Sequence, residues 1–412
     1  MARFTSNTRF LQKIDTSLGL IVCLLLTCAR RVGDFFAVKK KAAKPKKILF
    51  IKLAEQGSTV LANDAISRAV KICGAQNVYF LLFEENRFIL DALGLVPHEN
   101  VLTIRTSSPL SIATSCFARL LEIRRLRIDA CIDMEFFARF TAALTWLTGA
   151  STRVGFHGYF GSGPYRGDLM THRVLYSAHL HTSSVFSSLV MALENNSKNF
   201  PTFPIIPPPG TEPPRFQAST DEKNKIATML SKLMSERKDR LILLNANASD
   251  LLPLRKWDEK NYQELARRLL AEYDDVSIAF TGMPEEAGKI ASLVDVLQSP
   301  RVFCLAGHTT LRELLIVYNQ ADILVTNDSG PAHFAALTSI DVITLFGPET
   351  PLLFGAPTPR NHSIWLGLAC SPCVNAFNNR QTSCHDNLCM KMISVDQVFE
   401  KVCNVLCQRK SR

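Results

Sequence analysis

The residues of this sequence best placed to do chemistry fall in three short stretches. The first is NDSGPAH (residues 327–333), which follows the apolar run Ile323 to Thr326. Pro331 suits the first turn of a helix, where its missing N–H is not needed. The N–H groups of Ser329, Gly330 and Ala332, with the Ser329 hydroxyl, would then cradle a diphosphate. Gly330 permits close approach of a ligand to the backbone. His333 would face the same diphosphate, and Asp328 at the strand tip would position a sugar or ribose hydroxyl. Taken alone, DSGP reads more simply as a helix cap, because Asp and Ser are good N-caps.

The second stretch is AEQGST (residues 54–59), between the apolar run Ile48 to Leu53 and a helical pattern through Val60, Leu61, Ala65, Ile66, Ala69 and Val70. A loop between strand and helix binds phosphates or holds catalytic groups. The third is Cys370, Cys373, Cys384 and Cys389, spaced C-x2-C-x10-C-x4-C, with His385 as a substitute ligand. Four thiolates at this spacing suit a structural zinc. Free or redox thiols, or an iron–sulfur cluster, are the alternatives.

The elements that must position these residues alternate between strand and helix patterns. VYFLLF, VLTI and ACIDME read as strands in the first half; RLILLNANA, VSIAFTGM, VFCLAG, ILVTN and VITLFGP read as strands in the second. Helical patterns separate them, which argues for parallel sheets covered by helices. PTFPIIPPPGTEPPRF has seven prolines in sixteen residues and propagates no regular structure. The organisation expected is a segment 1–46, a Rossmann-like domain 47–200, a Pro-rich linker 201–218, a second Rossmann-like domain 219–393 and a C-terminal amphipathic helix 394–412. The fold class is α/β. Two such domains facing each other would leave a cleft at their strand C-terminal ends.

At 412 residues the chain is long enough for two cores, and its 47% apolar and 20% charged content is that of a globular protein. Its net charge of +10 is concentrated in residues 1–47, where eleven Lys/Arg stand against two acids. The basic character therefore belongs to a tail and does not describe a nucleic-acid groove, so no nucleic-acid partner is expected. Within the tail, the apolar run Leu18 to Ala29 is about 12 residues, short of the roughly 20 that a spanning helix needs. Arg30 and Arg31 stand where a signal peptide has its small-residue cleavage site. Thr27 precedes Cys28 where a lipoprotein needs a smaller residue. An interfacial helix on an anionic membrane surface is the preferred reading, and a buried core helix the alternative. A net +2 before the run and +7 after it would keep the body on the cytoplasmic face of the inner membrane, peripheral or shallowly anchored. The twelve cysteines then sit in a reducing compartment.

LAGHTTLRELLIVYNQADILVTNDSGPAHFAALTSIDVITLFGP resembles the nucleotide-sugar half of glycosyltransferase family 9, which includes the ADP-heptose:lipopolysaccharide heptosyltransferases. The resemblance runs over roughly residues 47–405 and is densest at 241–350. It implies a GT-B fold, a nucleotide-diphosphate-sugar donor, a lipopolysaccharide or lipid-linked acceptor, and inverting transfer with no cofactor required. By the same resemblance, Ser249 and Arg255 would contact donor phosphates, with Arg255 standing where the family usually has Lys. Glu285 or Glu286 would meet the ribose, and Asp328, Ser329, Gly330 and His333 form the donor-diphosphate motif. TRVGF (152–156) matches an acceptor-side segment, near which Arg166 and His157 would meet anionic acceptor groups.

The family's first loop carries Gly followed by Asp, the implied general base. Here Gly57 is followed by Ser58, and a hydroxyl alone is no base at neutral pH. Glu55 and Asp64 are the nearby carboxylates. A strand-tip loop reaches a crevice more readily than a mid-helix position, so Glu55 is the expected replacement base. The plainer reading of Glu55 is that it only orients the loop. A nucleotide-sugar epimerase, or a membrane-tethered nucleotide-sugar-binding protein without catalysis, are the alternative functions.

Overall fold

In a computed structural model, residues 2–36, 44–158, 164–194, 210–234, 236–248, 252–378 and 380–410 are described. The chain divides into two units, Met1–Thr211 with Asn375–Arg380, and Glu212–Val374 with Gln381–Arg412.

The first unit runs α1 (Ala2–Phe36), β1 (Ile48–Ile51), α2 (Gln56–Leu61), α3 (Asn63–Cys73), β2 (Val78–Phe83), α4 (Arg87–Leu93), β3 (Val101–Ile104), α5 (Pro109–Leu126), β4 (Ala130–Asp133), α6 (Arg139–Leu147), β5 (Thr152–Phe156), β6 (His172–Val174) and α7 (Thr182–Met191). The strands form one parallel sheet in the order β3-β2-β1-β4-β5-β6. Side chains alternate across a strand, so a strand buried on both faces must be apolar throughout. Ile48 and Phe50 accordingly enter a core with Ala65 and Ile66 of α3 and Phe186 of α7. Leu49 and Ile51 enter the opposite core with Ile123 of α5 and Leu144 of α6. Truncating a fully buried ring such as Phe50 to Ala would cost about 3 to 5 kcal/mol.

The second unit runs α8 (Thr220–Leu233), β7 (Arg240–Asn245), α9 (Glu259–Glu272), β8 (Val276–Phe280), α10 (Ala287–Asp295), β9 (Val302–Cys304), α11 (Leu311–Asn319), β10 (Ile323–Asn327), α12 (Gly330–Ala335), β11 (Asp341–Phe346), α13 (Pro351–Phe354), β12 (Asn361–Trp365), α14 (Leu388–Lys391) and α15 (Val395–Lys410). Its sheet, also parallel, has the order β12-β11-β10-β7-β8-β9. In both sheets the order reverses beside the first strand, at β1/β4 and at β7/β10. Open α/β sheets bind ligands at that reversal, beyond the strand C-terminal ends.

Two expectations are revised, those for the tail and the linker. The tail helix is longer than its apolar run: α1 continues for 35 residues, and Ile14–Gly33 is long and apolar enough to cross a membrane by length and composition. Only 11% of that stretch is buried, which sets aside the core-helix alternative. The C-terminal helix is present as α15, and its Val398, Val402, Val405 and Leu406 belong to the core around β7 and β8. Of the expected linker, residues 201–209 lie outside the described residues. Phe216 is buried in the second unit, its N–H donating to Leu337 O at 2.8 Å.

Candidate functional site

In the first unit, the tips of β1 and β4 bring four charges together. Lys52, directly after β1, is fully buried. Its Nζ donates to Ala54 O (2.7 Å) and to the Glu135 carboxylate (3.0 Å), and lies 3.6 Å from the Glu55 carboxylate. Glu135, two residues beyond β4, accepts the N–H groups of Leu53 (2.8 Å) and Ala54 (3.0 Å). A carboxylate just beyond β4 thus fixes the backbone that presents Glu55. Glu55 itself has φ 68°, a left-handed conformation that costs a non-glycine residue about 1 to 2 kcal/mol. Ser58 Oγ donates to one Glu55 oxygen at 2.8 Å, and Arg380 donates to the other.

This changes the expected loop. Gly57, Ser58 and Thr59 lie within α2 and are buried, leaving Lys52 to Glu55 as the irregular connection. Asp64 is already engaged by another residue. Its carboxylate accepts both the N–H (2.8 Å) and the hydroxyl of Thr211 and so anchors the chain there. Arg166 is not available to an acceptor either, because it is buried and pairs with buried Asp133. Its other donors go to the carbonyls of Ala138 (2.9 Å), Phe136 (3.2 Å) and Phe156 (3.0 Å). Burial, then the nearby Arg173, pushes the His157 imidazole down to about 4, so it is neutral at physiological pH and offers an anion no charge. Lys52, Glu135 and Arg380 were not singled out from the sequence. The Lys52–Glu135 and Glu55–Arg380 contacts join residues 83 and 325 positions apart, with no local pattern to mark them.

In the second unit, Asn327 at the end of β10 ties the flanking turns together. Its Oδ1 accepts the Trp257 N–H at 3.0 Å, and its Nδ2 donates to Ala246 O and Asn247 O, each at 3.2 Å. Trp257 is fully buried, edge-on to Tyr262, and donates its Nε1–H to Ile393 O at 2.9 Å. That anchoring sets Arg255 beside the β10 and β11 tips. Arg255 Nη1 donates to Asp328 O (3.0 Å) and lies 3.5 Å from the Glu349 carboxylate and 3.8 Å from the Asp328 carboxylate. Both carboxylates are almost fully buried. Glu349 was not singled out from the sequence.

The NDSGPAH turn has the expected strand-to-helix form with narrower donor supply. Ser329 is the N-cap of α12, yet its hydroxyl donates back to Asn327 O (3.1 Å) and makes no capping bond. The Ala332 N–H is already given to Ser329 O at 3.1 Å. A Cβ on Gly330 would come 3.1 Å from the Phe334 ring, so the glycine also serves packing. His333 is buried in α12. At the β8 tip Glu286 caps its own turn through the Met283 N–H (2.7 Å), while Glu285 is exposed. Ser249 lies outside the described residues.

The four cysteines of the expected zinc set lie between the end of β12 and the end of α14. Among the described residues, no group of three or more His, Cys, Asp or Glu converges to hold a metal ion. Cys384 Sγ instead donates to Asp386 O at 3.1 Å, Cys389 is buried behind Gly347, and Cys370 is exposed. The thiols are near enough to feel one another: burial, then Cys373, Cys370 and Cys384, pushes the Cys389 thiol up to about 11.

Two doubly wound parallel sheets in one chain, with a Ser-Gly turn at the reversal of the second, define the GT-B class of glycosyltransferase folds. The family model for glycosyltransferase family 9 (heptosyltransferase) matches residues 120–383, and the chain belongs to that family. Lipopolysaccharide heptosyltransferase 2 of Salmonella typhimurium is 31% identical over 139 residues, 34% of this chain and 39% of that relative. The alignment therefore spans about two-fifths of the curated relative's length. The structure of E. coli ADP-heptose LPS heptosyltransferase II superposes with a TM-score of 0.65 at 18% identity, covering 88% of this chain and 99% of that one. The glycosyltransferase family 9 structure from Veillonella parvula gives 0.68 at 16% identity, covering 88% and 97%.

Proposed function

We propose that this protein is an inverting glycosyltransferase that moves heptose from an ADP-heptose-like donor to a lipopolysaccharide or lipid-linked acceptor at a membrane surface. The observation that carries this reading is the pairing of family membership with a positioned carboxylate at the β1/β4 reversal. The second unit would hold the donor. Arg255 and the Ser329 and Gly330 N–H groups would meet the diphosphate, and Asp328 the sugar hydroxyls. Glu285 and His333 would complete the donor contacts at the ribose and the diphosphate. The first unit would hold the acceptor.

In the transfer, the acceptor hydroxyl oxygen attacks the anomeric carbon. The bond from that carbon to the diphosphate oxygen breaks, and its electron pair leaves with the nucleoside diphosphate. The acceptor proton goes to the Glu55 carboxylate. Lys52 and Arg380 hold that carboxylate in place, and Ser58 orients it. Arg255 takes up charge developing on the leaving diphosphate, so this scheme calls for no metal.

Calorimetry against ADP-, UDP-, GDP- and dTDP-sugars, followed by transfer assays with heptose-deficient lipopolysaccharide, tests the reading. ADP-heptose should bind tightest and yield a heptosylated product. Donor binding without transfer to any membrane acceptor would instead mark a nucleotide-sugar-binding protein.

A further inference from the structure

We infer that α1 and α5 together form an in-plane docking face for an anionic lipid bilayer, and that α1 does not span the membrane. The inference rests on the membrane-surface reading above and specifies which part of the chain meets the lipid.

Helix α1 is held to the first unit along its length. The Asp15 carboxylate accepts the N–H groups of Arg139 (3.0 Å) and Phe140 (2.6 Å) at the start of α6. Cys23 is fully buried in a small cluster with Ala142 of α6, Leu169 and Met170. Thr27 Oγ1 accepts the Asp168 N–H at 2.8 Å, and Arg30 pairs with the Asp168 carboxylate at 2.5 Å. Gly167, at φ +74°, lets this contact form, because a Cβ there would come 2.8 Å from Cys23 O and from Thr27 Oγ1. These attachments run from Asp15 to Arg30, about 22 Å of helix at 1.5 Å per residue. To span a bilayer, α1 would have to tear all of them away, or draw the Asp168 loop into hydrocarbon.

The outer side of α1 is apolar, with Leu18, Ile21, Leu24 and Leu25 exposed. The same sheet face carries a second such surface. On α5, Leu110, Phe117 and Leu121 are exposed at helical spacing, Leu110 by 73% and Phe117 by 63%. Thr114, between them, gives its hydroxyl to Leu110 O (2.9 Å), so this stripe offers little hydrogen bonding to a polar partner. Both helices adjoin α6: α1 as above, and α5 through Arg124 Nε to Leu147 O (2.8 Å) and the shared core of Ile123 and Leu144. Phe140 of α6 is itself exposed. Arg124, Arg125 and Arg127 at the end of α5, and Arg31 on α1, supply positive charge beside the apolar surface. Apolar outer faces bordered by arginine match an anionic lipid surface, with side chains in the acyl boundary and guanidinium groups at the phosphates.

The test is sedimentation of the full chain with vesicles of phosphatidylethanolamine and phosphatidylglycerol, against phosphatidylcholine alone. The double variant Phe117→Ser, Leu121→Ser changes only exposed side chains, and its melting curve checks the fold. It should bind the anionic vesicles about tenfold more weakly than the parent. Fluorophores placed at Phe117 and at Leu25 should both be quenched by lipids brominated near the headgroup. Undiminished binding by the double variant would overturn the inference. So would a Phe117 probe that stays in water, a Leu25 probe quenched only from the bilayer centre, or a stable dimer that shields Phe117 in solution. Donor calorimetry on the same preparations reports on the transferase reading separately, since neither helix carries a donor contact.

Discussion

The Ser58 hydroxyl donates to the Glu55 carboxylate across 2.8 Å. The position where family resemblance implies an aspartate is thus coupled to a carboxylate three residues earlier. Removing the hydroxyl should leave Glu55 present but less well aimed. Ser58→Ala is expected to lower kcat about tenfold with donor affinity unchanged, the scale of one hydrogen bond to a charged group. Ser58→Asp should recover activity by restoring a carboxylate at the family position. Steady-state kinetics on the two variants checks both, and an unaltered kcat in Ser58→Ala would count against the coupling.

Arg380 reaches the same carboxylate from the cysteine-rich segment, whose Phe377 stacks on Phe137 at 5.7 Å within the first unit. It acts through Glu55 and is a positioning residue. Arg380→Ala should reduce kcat about tenfold while the donor KM stays put, and Arg380→Lys should rescue part of the loss by keeping the charge. Equal losses in Ala and Lys variants, accompanied by a lower melting temperature, would reassign Arg380 to a purely structural role.

Arg255 lies close to two buried carboxylates, Asp328 and Glu349. Arg255→Ala would leave them without that cation and should destabilise the protein by about 3 kcal/mol. Arg255→Lys keeps the charge but lacks the guanidinium fork, so it should keep most of the stability and bind donor about tenfold more weakly. Denaturant melts and calorimetry separate the two effects. Full donor affinity in Arg255→Lys would remove Arg255 from the diphosphate site.

The thiols give a pH prediction. With its pKa raised to about 11, Cys389 is almost entirely protonated at pH 8, and the thiolate is the reactive form. Alkylation at pH 8 should label exposed Cys370 and spare Cys389, whose labelling rate should climb as pH approaches 11. Elemental analysis belongs beside it. Stoichiometric zinc or iron, released together with rapid labelling of Cys389, would show these thiols to be metal ligands.

Much of this was readable from local pattern. The strands around NDSGPAH announce themselves because each is buried on both faces and must be apolar, and Pro331 marks where the helix begins. Glu55 stood out because it is the only carboxylate in its loop. What could not be read was partnership. Asp64 looks like a candidate base until Thr211 is seen to occupy it, and Arg166 looks like an anion ligand until Asp133 is. Lys52 reads as one charge inside an apolar run, yet it is buried against Glu135, 83 residues later and just beyond β4. The cysteine spacing fits a zinc pattern, but spacing does not say which partner each thiol takes, and Cys384 gives its hydrogen to Asp386 O. Side-chain partners far apart in sequence depend on the packed fold, and no periodicity encodes them.

In the proposed transfer, Glu55 takes the acceptor proton. Glu55→Gln keeps the size and hydrogen-bonding capacity of the side chain and removes the base. The direct measurement is single-turnover transfer from ADP-heptose to heptose-deficient lipopolysaccharide, with donor binding confirmed by calorimetry on the same variant. If Glu55 is the base, donor binding should be unchanged and the transfer rate reduced roughly a hundred- to ten-thousand-fold. Near-normal transfer by Glu55→Gln with bound donor would contradict it.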